Sequence, residues 1–202
     1  MTPILPTSYF GSIAYFKELA RHDKVFVEAK EHYPKQTYRN RCDIVGGDGI
    51  MSLSIPTKRP RGSKTPTGDV VLSDEENWRV RHWRSITSAY KSAAYFDYYS
   101  IEVEELLFSK EKSLLNFNTE ITKRVIHWLD LKTEIIISDE FQAIFKYDLR
   151  LTLTGKDSFQ EKEKAPYIQV FPGNSNFKES LSILDAIFCE GPMTRDLLIQ
   201  RH

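Results

Sequence analysis

Residues 12–29, SIAYFKELARHDKVFVEA, change period midway. Ile13, Phe16 and Leu19 recur at helical spacing, and KVFVEA from Lys24 to Ala29 then has the β-branched alternation of a short strand. Before them an opening strand is interrupted by Pro6 and Gly11, so the chain begins as strand, helix, strand. Further along, CDIV (42–45) and IMSLSIP (50–56) flank GGDG (46–49), which reads as a hairpin whose second strand ends near Pro56. Helices are predicted over Glu75–Tyr95, where Asp74 and Asn77 supply capping side chains, and over Leu114–Leu131. The second would bury Phe117, Ile121, Val125, Trp128 and Leu129. TEIIIS (133–138), DLRLTL (148–153) and YIQVF (167–171) read as strands, and a last helix over Leu181–Phe188 stops near Gly191 and Pro192. Interleaved helices and strands predict a mixed α/β fold, a central mixed sheet flanked by helices in one domain spanning residues 1–202.

At 202 residues the chain lies below the roughly 250 at which a single core stops growing. Hydrophobic residues at 41% and charged residues at 28% exclude a disordered composition. Lys plus Arg and Asp plus Glu both number 28, so no global field holds nucleic acid or an anionic membrane, and an anion must be met locally. No nucleic-acid partner is expected. Cys42 and Cys189 form neither a CxxC pair nor a disulfide framework, which fits a reducing compartment and argues against structural zinc. The amino terminus lacks a basic start and a long apolar region, and no stretch approaches the roughly 20 apolar residues that cross a bilayer. The expectation is a cytoplasmic protein without membrane insertion. Residues 57–67, TKRPRGSKTPT, carry Lys58, Arg59, Arg61 and Lys64 among residues that resist regular structure. They read as a mobile basic loop, either solvated or a lid over an anionic substrate.

The densest polar and basic group is YPKQTYRNRC (33–42), with Lys35, Gln36, Tyr38, Arg39, Asn40 and Arg41. If this segment is extended, Arg39 and Arg41 share one face and Tyr38 and Asn40 the other. Two guanidinium forks on one face suit a phosphate or carboxylate. The plainer alternative pairs one arginine with a core carboxylate and leaves the other solvated. In NWRVRHWRS (77–85), His82 falls on the apolar stripe of Trp78 and Ile86. Partial burial near arginines favours the neutral imidazole that a general base requires, although a hydrogen-bonded core histidine would look the same. Arg81 and Arg84, three apart, would meet one anion or pair with nearby acids. Tyr90, Tyr95, Phe96, Tyr98 and Tyr99 would stack on a base or sugar, or fill the core. GxxxxGKS, GxSxG, HExxH and GxGxxG are all absent from the sequence. His22, His32, His127 and His202 show no metal-ligand spacing and read as surface or structural residues. No protein metal site is predicted, and no cofactor is identified; magnesium would suit a phosphorylated donor.

QTYRNRC (36–42), RHWRS (81–85), YFDYY (95–99) and FPGNSNFKESLSILDAIFCEGP (171–192), following LPTSYFGSIAYF (5–16), resemble the WbqC-like family over nearly the whole chain. The resemblance implies a shared site that includes Gln36, Tyr38, Arg39, Asn40, Arg41, His82, Arg84, Asp185 and Glu190. It also implies a place in bacterial polysaccharide or O-antigen assembly, with glycyl transfer as one activity. As a transferase, the protein would bind the phosphates of an activated donor or nucleotide sugar through Arg39, Arg41 and Arg84, aided by Lys35, Arg81, Tyr95 and Tyr98. His82 would act as base, oriented by Asp185 or Glu190, while a glycyl or other acyl group passes to an amino sugar. The opening strand and helix are also similar to nucleotide-binding α/β folds that place phosphates at the first helix's amino end. As a noncatalytic module, the protein would use the same groups to recognise a nucleotide sugar or a glycan-pathway partner. Its oligomeric state is left open.

Overall fold

The computed structural model describes residues 1–155, 161–162, 165–172 and 177–199. In chain order the elements are β1 (Ile4–Pro6), α1 (Ile13–Ala20), β2 (Lys24–Glu28), β3 (Arg41–Gly46), β4 (Gly49–Ser54), β5 (Thr57–Lys58) and β6 (Val71–Leu72). They continue with α2 (Trp78–Tyr90), α3 (Phe96–Leu107), α4 (Leu114–Trp128), β7 (Glu134–Ile137), β8 (Glu161–Lys162), β9 (Phe177–Lys178), α5 (Ile183–Glu190) and α6 (Thr194–Ile199). The fold is α/β. Its central sheet is parallel, with β2 between β1 and β7, while β3–β4, β5–β6 and β8–β9 form separate antiparallel pairs. Tyr147 to Leu149 run along the free edge of β1, where Ile4 N–H donates to the Tyr147 carbonyl and Leu149 N–H donates to the Ile4 carbonyl.

Amphipathic spacing decides which faces are buried. α4 turns Phe117, Ile121 and Val125 inward, and Ser113 caps its amino end by accepting from Asn116 N–H. α5 is buried from Ile183 through Cys189, and Gly191, at φ +58°, ends it. The β3–β4 hairpin turns through Gly47 and Asp48 as its glycines predict. Among the described residues, no helix is long and apolar enough to cross a membrane.

Four sequence expectations are corrected. The helix predicted over Glu75–Tyr95 spans only Trp78–Tyr90, because Ala93 N–H bonds back to Tyr90 and Tyr95 N–H is taken by the Phe188 carbonyl of α5. A separate helix, α3, follows. DLRLTL is not a strand: Asp148 accepts from the Arg150 backbone N–H, and Thr152 N–H bonds to the Leu149 carbonyl, so the chain turns. YIQVF keeps a strand's alternation, with Tyr167 and Gln169 reaching the same carboxylate, but has no strand neighbour among the described residues. The basic segment 57–67 is not structureless: it contributes β5 and a 3-10 turn over Gly62–Lys64. Tyr33 and Thr67 N–H donate to the carbonyls of Thr65 and Glu31, while Gly68 N–H donates to Ala29, tying this segment to the chain just beyond β2.

Candidate functional site

Parallel sheets place ligands at the carboxyl ends of their strands, where connecting loops splay apart. Here β2 leads into Lys30, Glu31 and His32, and the chain beside β1 delivers Asp148, Arg150 and Leu151 to the same end. Together with Phe141 and Ala143 these residues line a cleft of about 580 Å³.

Beneath the cleft lies a buried ion network. Arg150 donates from Nη1 to Glu28 at 2.9 Å, and from Nε and Nη2 to the two carboxylate oxygens of Asp148 at 3.0 and 2.5 Å. Glu28, fully buried at the end of β2, also accepts from Ser138 Oγ at 2.8 Å and Lys30 N–H at 2.6 Å. Arg39 donates to Glu31 at 2.8 Å and to the Arg150 carbonyl at 3.1 Å. The Arg150 hydrogen bonds hold the Asp148 carboxyl below its ordinary range. Burial pushes the Glu31 carboxyl up despite Arg39 beside it. Phe141 presents its ring to the Arg150 guanidinium at 5.2 Å, a cation–π contact, and remains half exposed. His32 is exposed on the wall of the cleft.

The residues expected to form one site are dispersed. Arg39 and Arg41 diverge because residues 34–40 are turned, with Gln36 at φ +56°, and regular alternation starts only at Arg41. Arg39 takes the core-carboxylate role. Arg41 lies 4.0 Å from Asp43, with its guanidinium 5.6 Å from the Tyr38 ring, so these two share a face rather than opposing each other. Tyr38 donates to Asp43 at 2.6 Å, and Asn40 donates to the Ile55 carbonyl at 2.8 Å. Lys35 and Gln36 are exposed.

His82 is 4% exposed, with the Tyr9 hydroxyl 2.9 Å from its Nδ1 and Trp78 edge-on beside it. Burial pulls its pKa down to about 4, against the opposing effect of a hydrogen bond that the ring donates to the Ser54 backbone and with a smaller lowering contribution from Arg81. Asp185 does not orient it. That carboxylate is buried and accepts from Tyr90 at 3.0 Å, Tyr167 at 2.5 Å and Gln169 at 2.7 Å. Burial raises its pKa, and these three bonds resist the rise. Arg81 pairs with Glu76 on the surface, Arg84 and Tyr98 are exposed, and Glu190 ends α5 half-buried. Tyr95 packs over Gly191, where an added Cβ would lie 2.5 Å from its ring. Residues 173–176 of the last quoted block, and His202, lie outside the described residues.

The amino end of α1 is not a phosphate site. Its first amides donate to the Leu181 and Glu179 carbonyls and to the Ser12 hydroxyl, leaving none directed at a ligand. Sequence reasoning missed Lys30, His32, Asp148 and Arg150. For the first two a signal was present: they directly follow a strand that the alternation had identified.

The chain is 21% identical over 140 residues to "Uncharacterized protein Rv1507c" of Mycobacterium tuberculosis (strain ATCC 25618 / H37Rv), a match covering 69% of this chain and 60% of that protein. No solved structure matches. The profile of the WbqC-like protein family matches residues 7–156, which takes in α1 to β7, the cleft and the basic segment but stops before the last block of resemblance. On this match, the chain belongs to the WbqC-like protein family.

Proposed function

We propose that the protein is a transferase of bacterial polysaccharide or O-antigen assembly, moving a glycyl or other acyl group from a phosphorylated donor to an amino sugar in the cleft beyond β2. The observation that carries this reading is the joint presence of Lys30, His32 and the half-exposed Phe141 ring around a cavity of about 580 Å³ at the carboxyl edge of a parallel sheet. Lys30 offers a charge for phosphate, and the Phe141 ring offers a face for a base or sugar. The acceptor amine attacks the acyl carbon of the donor; the bond from that carbon to the phosphate oxygen breaks, and the phosphate departs with the electron pair. His32 receives the proton lost by the amine. In this role it replaces His82, whose buried ring is spent on Tyr9 and Ser54.

Support for the rival reading, a binding module without turnover, comes from the same network. Glu28, Glu31 and Asp148 are each bonded to an arginine, which leaves His32 as the one uncommitted candidate base among the described cleft residues. The test is a thermal-shift panel of nucleotides, nucleotide sugars and acyl phosphates with and without magnesium, followed by assay of any ligand that binds. A ligand at one hundred times its dissociation constant stabilises by about 2.7 kcal/mol. Transfer that survives His82→Gln but is lost in His32→Ala, with binding kept, supports the transferase. A bound ligand recovered intact, with every acceptor tried, supports the module.

A further inference from the structure

A second cavity, of about 540 Å³, opens on the other side of the chain leaving β2, and Lys30 lines both. Its other walls are Ala29, Arg61, Pro66, Gly68, Asp69, Leu115, Ile137 and Ser138. Arg61 comes from the basic segment, and it reaches this place because residues 65–68 are hydrogen-bonded along residues 29–33. Its own backbone N–H is fixed by the Thr65 hydroxyl at 2.9 Å, and Thr65 is fully buried.

The cations around the two cavities differ in their commitments. Arg150 already satisfies two carboxylates, and Arg39 is buried against Glu31. Lys30 has no ion pair among the described residues. Arg61 is held by a single contact of 3.3 Å to Asp69, with both side chains well exposed. An exposed pair of that kind is weak, and a dianionic phosphate that accepts from a guanidinium fork displaces it. Ser138 contributes no donor, since its hydroxyl proton goes to Glu28.

We propose that this second cavity is an oxyanion subsite taking a phosphoryl or pyrophosphoryl group, gripped by Lys30 and Arg61 in competition with Asp69. This rests on the transferase reading only in assigning the group to the donor, whose base or sugar then lies against Phe141 across Lys30.

The experiment is titration of inorganic pyrophosphate, without donor or acceptor, into the wild-type chain and variants. Arg61→Gln and Lys30→Ala each weaken binding by about tenfold or more. Asp69→Asn tightens it by freeing Arg61, an effect that a structural role for the loop does not produce. Lys123→Gln, which removes an equal charge elsewhere on the surface, leaves binding unchanged. Unliganded melting midpoints show that each variant is folded. The proposal is overturned if the wild type binds no pyrophosphate, if Arg61→Gln binds as well as wild type, or if Asp69→Asn weakens binding. Pyrophosphate binding with this pattern, but no transfer with any donor, removes the transferase reading and leaves the subsite. Transfer that is indifferent to Arg61→Gln does the reverse.

Discussion

Arg39 illustrates how a residue suited to grip a ligand is instead consumed by the fold. Its side chain is fully buried and Glu31 is its counter-charge. Deleting one member of such a pair strands the other in a poor dielectric. Arg39→Met therefore costs about 3 kcal/mol at pH 7, read from urea denaturation. The loss shrinks at pH 5, where Glu31, already pushed up by burial, takes a proton more readily. Pairing Arg39→Met with Glu31→Gln restores part of the stability, because no uncompensated charge remains. Equal loss at both pH values would show that the Arg39 bond to the Arg150 carbonyl, rather than the charge, dominates.

Between elements, Arg79 has a role that its neighbours in sequence conceal. It lies 4.4 Å over the Trp78 ring and donates to the carbonyls of Leu107 at 2.5 Å and Glu111 at 3.4 Å, so one guanidinium clasps the end of α3 to the start of α2. Arg79→Lys keeps the charge but loses the planar fork. The expected cost is about 1–2 kcal/mol, with faster amide exchange confined to the last turn of α3; uniform acceleration across the protein would contradict a local clasp. Elements of this kind were only partly legible. α1, β2, the hairpin, α4 and β7 could be read because their apolar period is local and their glycines and caps sit at their ends. The Glu75–Tyr95 reading ran too far because the stop at Tyr95 is a bond to Phe188, far along the chain. DLRLTL meets β1 at one bridge and then turns away, and YIQVF has no strand neighbour among the described residues, whereas alternation cannot reveal where a neighbour ends or is missing. The site was harder still. Arg39, Arg41 and His82 advertised chemistry by residue type, whereas their partners Glu31, Asp43 and Tyr9 decided their roles.

For the molecule as a whole, buried titratable groups pull stability in opposite directions with pH. His82 has a folded pKa of about 4 against an ordinary 6.5. Its contribution is therefore complete above about pH 6.5 and lost as pH falls toward 4, amounting to about 3 kcal/mol over that span. Asp148, held low by Arg150, acts in the same sense at more acidic pH. Asp185 and Glu31 are raised by burial, so their contribution is present below the ordinary carboxylate range and lost as pH rises through their folded values. The wild-type profile between pH 4 and 6.5 is the balance of these terms. His82→Gln removes one rising contribution, so between pH 4 and 6.5 its stability gains less with increasing pH, or loses more, than that of the wild type; parallel profiles for the two proteins would refute the assignment. One earlier feature bears on a different question, the order of assembly. The first turn of α1 is completed by carbonyls from residues 179 and 181, and Ser182 N–H and Oγ reach back to the Asp43 and Phe10 carbonyls. Contacts so distant in sequence slow folding, since a long loop must close before they are rewarded. On the ribosome the amino end of α1 therefore stays unsealed by these contacts until residues 179–182, just ahead of α5, have been synthesised.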